Sequence, residues 1–485
     1  MHPIAKLDHQ FLWHPFTQMK DWVKREPIII QSGKGSVLTD VKGRRYLDAN
    51  SSIWTNLHGH RHPRIDEALR RQLKKISHSS SLGLANEPAS ELASRLIAAA
   101  SATPLKPQSS ALRKATPAPR PLKKVFFSDD GSTAMEAGIK LATEFAKRTI
   151  GIKKPRFLSL EGAYHGDSVG ASSMGHIPLF RRSCSSILFE CDTVMSPYCY
   201  RCPFNKAKPD KADARSYRKC HWECIETIER VFARQRRNGK PYALFTLEPL
   251  MQGAAGMIPQ PEGWLSQVCD IARRNGTLTL LDEVMTGFGR ATTHQLPDGR
   301  NELFAFQREG VTPDMVALAK GMTGGYLPMA ATLVSQPIFD AFLGEYEDFK
   351  TFFHGHSYTA NQLGSAAALA NLDLLESARV LKHRATLERE LRHCLECLWK
   401  SPWVGDIRQV GLIAGIELVK EQTKRTPFKL RERIGIRVCE SMAHKGVLTR
   451  PIGNVIVLMP PFSTTVTQLQ TMVSALSESI DETLG

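Results

Sequence analysis

No run of this sequence approaches the roughly 20 apolar residues that a membrane span requires. The opening stretch MHPIAKLDHQFLWHPFTQMKDW also lacks the uninterrupted apolar core of a secretory signal. Both observations argue against a membrane partner, and the expectation is a soluble, cytoplasmic protein. Ten cysteines in 485 residues, without such a signal, do not make a disulfide framework. Also missing is a motif that would convert the basic charge into nucleic-acid binding. The net charge is +16, but its cations are scattered over RRQLKK, LRKATPAPRPLKK, RQRRNGK and KLRERIGIR. No helix-turn-helix, zinc-finger or aromatic-interleaved RNA motif accompanies them. A solvated basic surface is expected, with no nucleic-acid partner. No internal repeat is evident.

What is present is core material: 42% of the residues are hydrophobic, enough for a large globular chain. Short β-rich runs alternate with helical patterns through the middle, as KVFFS, RFLSLEG, ALFTLEP, TLTLLDEV, DMVALAK and MAATLVS. Such near-continuous apolar strands belong to a mostly parallel sheet covered on both faces, so the fold class is α/β. Between the first two runs, STAMEAGIKLATEFAKR repeats Met135, Ile139, Ala142 and Phe145 at helical spacing, with Ser132 or Thr133 as the expected cap. Residues 101–124 are proline-rich and cationic and read as a flexible surface insertion. The large domain is expected over 63–370. Residues 371–485 read as a smaller C-terminal α+β domain, joined by the N-terminal segment 1–62.

Four cysteines invite a metal reading. Cys199 and Cys202 form a C-x2-C, followed after seventeen residues by the C-x3-C of Cys220 and Cys224, with His221 as a spare ligand. Four thiolates at this spacing suit tetrahedral zinc, yet the C-x3-C half is atypical, and reduced thiols in one loop are the plainer reading. The expectation is no metal, with this group as the one candidate.

Chemistry concentrates at strand ends. Lys320 closes an apolar strand just before a glycine-rich turn, in MVALAKGMTGGYLPMA. Burial there would lower its pKa and expose a neutral nucleophilic amine, whereas a lysine reaching solvent over the turn is the alternative. Asp282 ends a second apolar strand in TLLDEVMTGFGR. A buried carboxylate needs a cationic partner, and the protonated nitrogen of a pyridine cofactor is one. In FFSDDGSTAMEAGIK, Gly131 to Thr133 open a helix whose free N–H groups suit a phosphate. Tyr164, in EGAYHGDS, suits stacking on a planar ring.

Together these residues describe a pyridoxal phosphate site, and LLDEVMTGFGR with ALAKGMTGGYLP resembles the class III aminotransferases of PLP fold type I. The resemblance covers residues 11–480 apart from the insertion. FLWHPFTQM, LDANSSIWTNLHGHRHP, GAYHGDSVGASSMG, LEPLMQGAAGM, TFFHGHSYTANQLG and LTRPIGNVIVLMPP are similar to the branch that aminates 8-amino-7-oxononanoate in biotin biosynthesis. The resemblance implies a large domain with a mostly parallel sheet and a smaller α+β domain, in a homodimer with active sites at the interface. It also implies roles. Lys320 would carry the cofactor as a Schiff base and shuttle a proton, Asp282 would hold the pyridinium, and Gly131 and Ser132 the phosphate. Tyr164 would cover the ring and touch substrate. Gly355, His356 and Ser357 would reach the neighbouring subunit's phosphate and substrate. Arg450 would grip the acceptor's distant carboxylate with its planar fork. Phe16 and Trp54 would line the substrate cleft. Two departures bear on the amino donor, which is S-adenosylmethionine in most of the branch and L-lysine in a minority. Phe16 stands where a tyrosine is common, and Ile53 where a tryptophan is common. Those changes, with the WHPFTQMKD and FFHGHSYTANQLG stretches, give the expectation that L-lysine works at least as well. Another class III enzyme of ω-amino acids or diamines is the runner-up; a non-catalytic relative has no need of Lys320, Asp282 and Arg450 together.

Overall fold

The apolar runs of the middle of the chain pair into one seven-stranded sheet. Its strands are β1 (Leu122–Ser128), β2 (Arg156–Leu160), β3 (Asp192–Val194), β4 (Tyr242–Leu247), β5 (Leu278–Asp282), β6 (Met315–Leu318) and β7 (Ala330–Ser335). They lie in the order β1-β7-β6-β5-β4-β2-β3. β4 and β6 flank β5 in parallel, with Leu281 opposite Leu247 on one side and Val316 on the other. β7 runs antiparallel to both β6 and β1. This computed structural model describes residues 1–101, 117–209 and 213–485.

Every residue of β4 to β7 is buried, because both faces of the sheet are covered. Alternation assigns the faces. Leu244, Leu280, Met315 and Ala317 pack into one cluster with helix α1 (Gly131–Phe145), through Ala134, Met135, Ile139 and Ala142. Phe245, Leu247, Leu281 and Val316 point the other way, into the cluster that holds Trp264, Leu265 and Val268. The expected α/β class and the six expected strands of this sheet are present.

Two details differ from the sequence reading. The helix cap is Asp130, whose side chain accepts from Thr133 N while Thr133 Oγ1 accepts from Asp130 N, each at 2.9 Å. A carboxylate one residue before the glycine makes a full capping box in which Ser132 takes no part. The insertion expected to end at 124 gives way earlier, because Leu122 to Lys124 already pair with β7, Leu122 opposite Ser335. Lys123 and Lys124 are both exposed on this edge strand, where cations are well placed. Residues 102–116 of the insertion lie outside the described residues.

Two smaller sheets gather the chain ends. Ile30–Lys34, Val37–Asp40 and Arg45–Asp48 form an antiparallel meander. Val447–Leu448 joins it, parallel to Arg45–Asp48. Val404–Val410, Ile413–Glu421, Val455–Leu458 and Pro451–Ile452 form an antiparallel sheet. Helix α2 (Gln362–Leu375) is mostly buried. Among the described residues no helix is long and apolar enough to cross a membrane.

Candidate active site

A cavity of about 440 Å³ opens at the carboxyl ends of β5 and β6 and the start of α1, where open α/β sheets place their ligands. Lys320 follows β6 by two residues and begins a short 3-10 turn, Lys320–Thr323. Its φ of 43° is left-handed, which a side chain tolerates only when held. The hold comes from the buried Asn371 of α2, whose Nδ2 donates to the carbonyls of Gly321 and Met322, both at 3.0 Å. Asn371 Oδ1 in turn accepts from His58 Nε2 at 3.0 Å. Burial lowers the pKa of His58 to about 3, so the ring is neutral and makes this bond as its Nε2–H tautomer. The Lys320 side chain faces the cavity, with Nζ 4.9 Å from the centre of the Trp54 ring. Burial holds the amine below the ordinary lysine range, against the opposing charges of Asp282 and Glu248.

Asp282 ends β5 and is buried, at 6% exposure. Its Oδ2 lies 2.8 Å from His165 Nδ1, and Oδ1 accepts from Val284 N at 3.0 Å. His165 is fully enclosed. Burial works against a charge on its ring, yet the bond and charge of Asp282, with Glu248, raise its pKa. Glu248 accepts from Tyr164 N at 3.2 Å and from Gly253 N at 2.8 Å, and burial pushes its carboxyl up to about 7. Neither His165 nor Glu248 was singled out from the sequence. The adjacency of His165 to Tyr164, and of Glu248 to the end of an apolar strand, were the available signals.

At the third corner the N-terminus of α1 points its first N–H groups at the cavity. A Cβ on Gly131 would stand 2.8 Å from Val284 Cγ1, so no other residue lets α1 approach the end of β5 this closely. Ser132 Oγ accepts from Asp167 N at 3.2 Å. Tyr164 OH donates to Asp167 Oδ2 at 2.8 Å, and burial followed by that bond raises the phenol's pKa. The Tyr164 ring meets Phe180 edge-on at 5.7 Å, and Phe180 meets Phe16 likewise at 5.3 Å.

A reactive amine, a buried carboxylate, helix N–H donors and flat aromatic walls fit pyridoxal phosphate: aldehyde, pyridine nitrogen, phosphate and ring each find a suitable group. Of the residues singled out from the sequence, the cavity brings together Trp54, Gly131, Ser132, Tyr164, Asp282 and Lys320. Phe16 is not in the cavity wall; it packs against Phe180 and is itself 63% exposed. Gly355 and Ser357 lie on an exposed turn, and His356 Nδ1 stands 3.6 Å from Asp129, which lines the cavity. Arg450 is exposed at the edge of the C-terminal antiparallel sheet and is not part of the cavity wall. Cys199 and Cys224 are buried and Cys202 and Cys220 half-buried. Burial, then the neighbouring thiols, pushes Cys199 up to about 12; burial and Cys220 push Cys224 up to about 11. Among the described residues no three His, Cys, Asp or Glu side chains stand together as metal ligands do.

The sequence matches the family described as Aminotransferase class-III over residues 18–480. It is 45% identical to an adenosylmethionine-8-amino-7-oxononanoate aminotransferase of Nitratidesulfovibrio vulgaris, over 98% of this chain and 81% of that one. The crystal structure of the enzyme of that name from Methanocaldococcus jannaschii superposes with a TM-score of 0.86 at 35% identity, covering 99% of both chains. An omega transaminase from Pseudomonas jessenii, in complex with PMP, also superposes at 0.86, with 25% identity over 99% of this chain and 98% of that one. The match along almost the whole sequence, to which the lining of the cavity at the strand ends is suited, shows the family: this chain belongs to the class III aminotransferases, enzymes that depend on pyridoxal phosphate.

Proposed function

We propose that this enzyme transfers an amino group to 8-amino-7-oxononanoate, giving 7,8-diaminononanoate in biotin biosynthesis. The observation that carries the reading is the identity of 44–45% along 98–99% of the chain to two relatives named for that acceptor. The omega transaminase, at 25%, supports the alternative of another ω-amino substrate less well.

Pyridoxal phosphate, when bound, supplies an aldehyde that takes up the donor's amine and a cationic ring that accepts the electrons left by the departing proton. The residues do the rest. Lys320 Nζ, whose pKa burial lowers, would take the proton from the substrate carbon that bears the nitrogen and return it to the carbon on the nitrogen's other side. Asp282 keeps the proton on the pyridine nitrogen, and His165 fixes the orientation of that carboxylate. The N–H groups of Gly131 and Ser132 bind phosphate at the helix start. Tyr164 would cover the ring and touch substrate, while Trp54 backs the Lys320 amine and, with Phe16, would line the cleft. Arg450 carries an exposed guanidinium suited to the acceptor's carboxylate.

The protein works as a cytoplasmic homodimer in this reading. Gly355, His356 and Ser357 sit on an exposed turn between Phe353 and Tyr358, themselves 75% and 63% exposed, an apolar rim suited to a second copy whose phosphate and substrate this turn would reach. All ten cysteines are free thiols, which suits a reducing compartment.

L-Lysine serves as donor at least as well as S-adenosylmethionine. Phe16 offers no hydroxyl to a nucleoside, and the half-exposed Ile53 gives one aromatic wall fewer beside Trp54. Single-turnover loading with each donor, followed by the cofactor absorbance and then by addition of acceptor, tests both statements. Loading by both donors, and discharge by 8-amino-7-oxononanoate but not by pyruvate or a short ω-oxo acid, is expected. Loading by S-adenosylmethionine alone would overturn the donor assignment; discharge by all acceptors alike would overturn the acceptor.

A further inference from the structure

Four consecutive residues at the rim of the cavity, none of them glycine, wind left-handed. Ser51, Ser52, Ile53 and Trp54 have φ of 45°, 48°, 68° and 68°. Residues with a Cβ visit this region singly rather than in series, because the side chain crowds the following carbonyl. Ile53 is the least tolerant of the four, being β-branched. A run of this kind persists only where the surroundings over-determine it.

The surroundings do so through one carboxylate. Asp48 is buried at the end of its strand. Its Oδ1 accepts from the N–H groups of Asn50, at 3.3 Å, and Ser52, at 3.1 Å. Its Oδ2 accepts from Ser52 Oγ at 2.9 Å and from His60 Nε2 at 3.1 Å. Further bonds brace the two ends of the turn. Ser51 Oγ donates to Met459 O at 2.6 Å and accepts from the buried Arg290 at 3.2 Å, while Trp54 Nε1 donates to Asn50 Oδ1 at 2.9 Å. The product of this arrangement is the placement of the Trp54 ring, 4.9 Å from Lys320 Nζ. A right-handed turn from the same Asn50 would carry the indole elsewhere.

We propose that Asp48 is a positioning residue for the reaction: by locking Ser51–Trp54 left-handed it sets the Trp54 ring against the Lys320 amine and fixes where that amine stands in the cavity. The proposal rests on the reading of Lys320 as the reactive amine, but its test needs neither cofactor nor substrate. In cofactor-free protein, amide hydrogen exchange over residues 50–55 and the pH profile of Lys320 acetylation are measured for wild type, Asp48→Ala, Asp48→Asn and Trp54→Ala. Asp48→Ala should speed exchange at Ser52 to Trp54 about tenfold or more, the factor for losing a buried hydrogen bond, and displace the Lys320 profile. Asp48→Asn keeps the acceptor for both N–H groups and should return exchange to within about threefold of wild type, with the Lys320 profile restored. Trp54→Ala should displace the Lys320 profile without altering exchange beyond the turn. Adding Ile53→Gly, which accepts positive φ freely, should partly rescue Asp48→Ala. A Lys320 profile unmoved in Asp48→Ala would overturn the proposal, as would Asp48→Asn failing as badly as Asp48→Ala. Should Asp48→Ala not fold, Ser52→Ala, which removes one of the carboxylate's bonds, takes its place with the same two readouts and the same overturning result. A Lys320→Ala enzyme that still transaminated would sink the functional reading and leave these measurements standing.

Discussion

Replacing Asp282 by asparagine preserves the shape at the end of β5 and removes only the charge. In the native site the carboxylate is 6% exposed, 2.8 Å from His165 Nδ1 and 3.0 Å from Val284 N. The carboxamide can still accept from Val284 N, so the strand end and the fold should survive. It cannot hold a proton on the pyridine nitrogen opposite. A charge-assisted hydrogen bond in a buried site contributes about 1.5–3 kcal/mol, and loss of the ring's positive charge adds to that in the step where electrons flow into it. About 3–4 kcal/mol on the proton-transfer barrier is a factor of about 150 to about 900. Stopped-flow half-reactions with donor and acceptor would show that loss in both directions, because the ring must accept electrons in each. The thermal midpoint of the cofactor-free variant should stay near wild type. Half-reactions within threefold of wild type would refute the assignment of Asp282 as the ring's counter-ion.

Lys320→Ala should still bind pyridoxal phosphate through the helix and Asp282 yet show no turnover above background, read by product mass; a near-wild-type rate would remove Lys320 from the chemistry. Arg450→Ala should slow the acceptor half-reaction about ten- to a hundredfold and leave donor loading little changed, since the proposed reading assigns that guanidinium to the acceptor's carboxylate; equal losses in both would take Arg450 out of the acceptor site. Glu248, held at about 7 in the folded chain against an ordinary 4.5, stabilises the fold at low pH, and that contribution is lost as pH rises from about 4.5 through 7. Glu248→Gln should therefore gain stability relative to wild type, up to ~3 kcal/mol, between pH 5 and pH 8 in cofactor-free protein; parallel thermal midpoints for the two proteins would contradict the cause given for the shift.

Lys320, Asp282, Gly131 and Tyr164 were legible because each ends or follows an apolar strand, where the sheet's own geometry converges. Their partners were not. His165 and Glu248 act by touching Asp282 and Tyr164 across the cavity, contacts made between β2, β4 and β5 that no local pattern encodes. Asn371 is the one polar residue in the apolar run AAALANL, a signal that goes unread until α2 is seen to lie under the Lys320 turn. The left-handed turn at Ser51–Trp54 was hidden more deeply, since positive φ is expected of glycine and this stretch has none. Strand Val404–Val410 was missed for another reason. Its Asp406 and Arg408 look like surface residues, yet they are buried, because Arg408 pairs with both Asp406 and Glu417 inside the sheet.

The most direct measurement follows the nitrogen. Wild-type protein with pyridoxal phosphate, ¹⁵N-labelled L-lysine or S-adenosylmethionine, and 8-amino-7-oxononanoate should yield 7,8-diaminononanoate carrying the donor's label on the carbon that bore the ketone, and Lys320→Ala should yield none. Recovery of the acceptor unchanged while the donor-loaded enzyme aminates some other oxo compound would contradict the account.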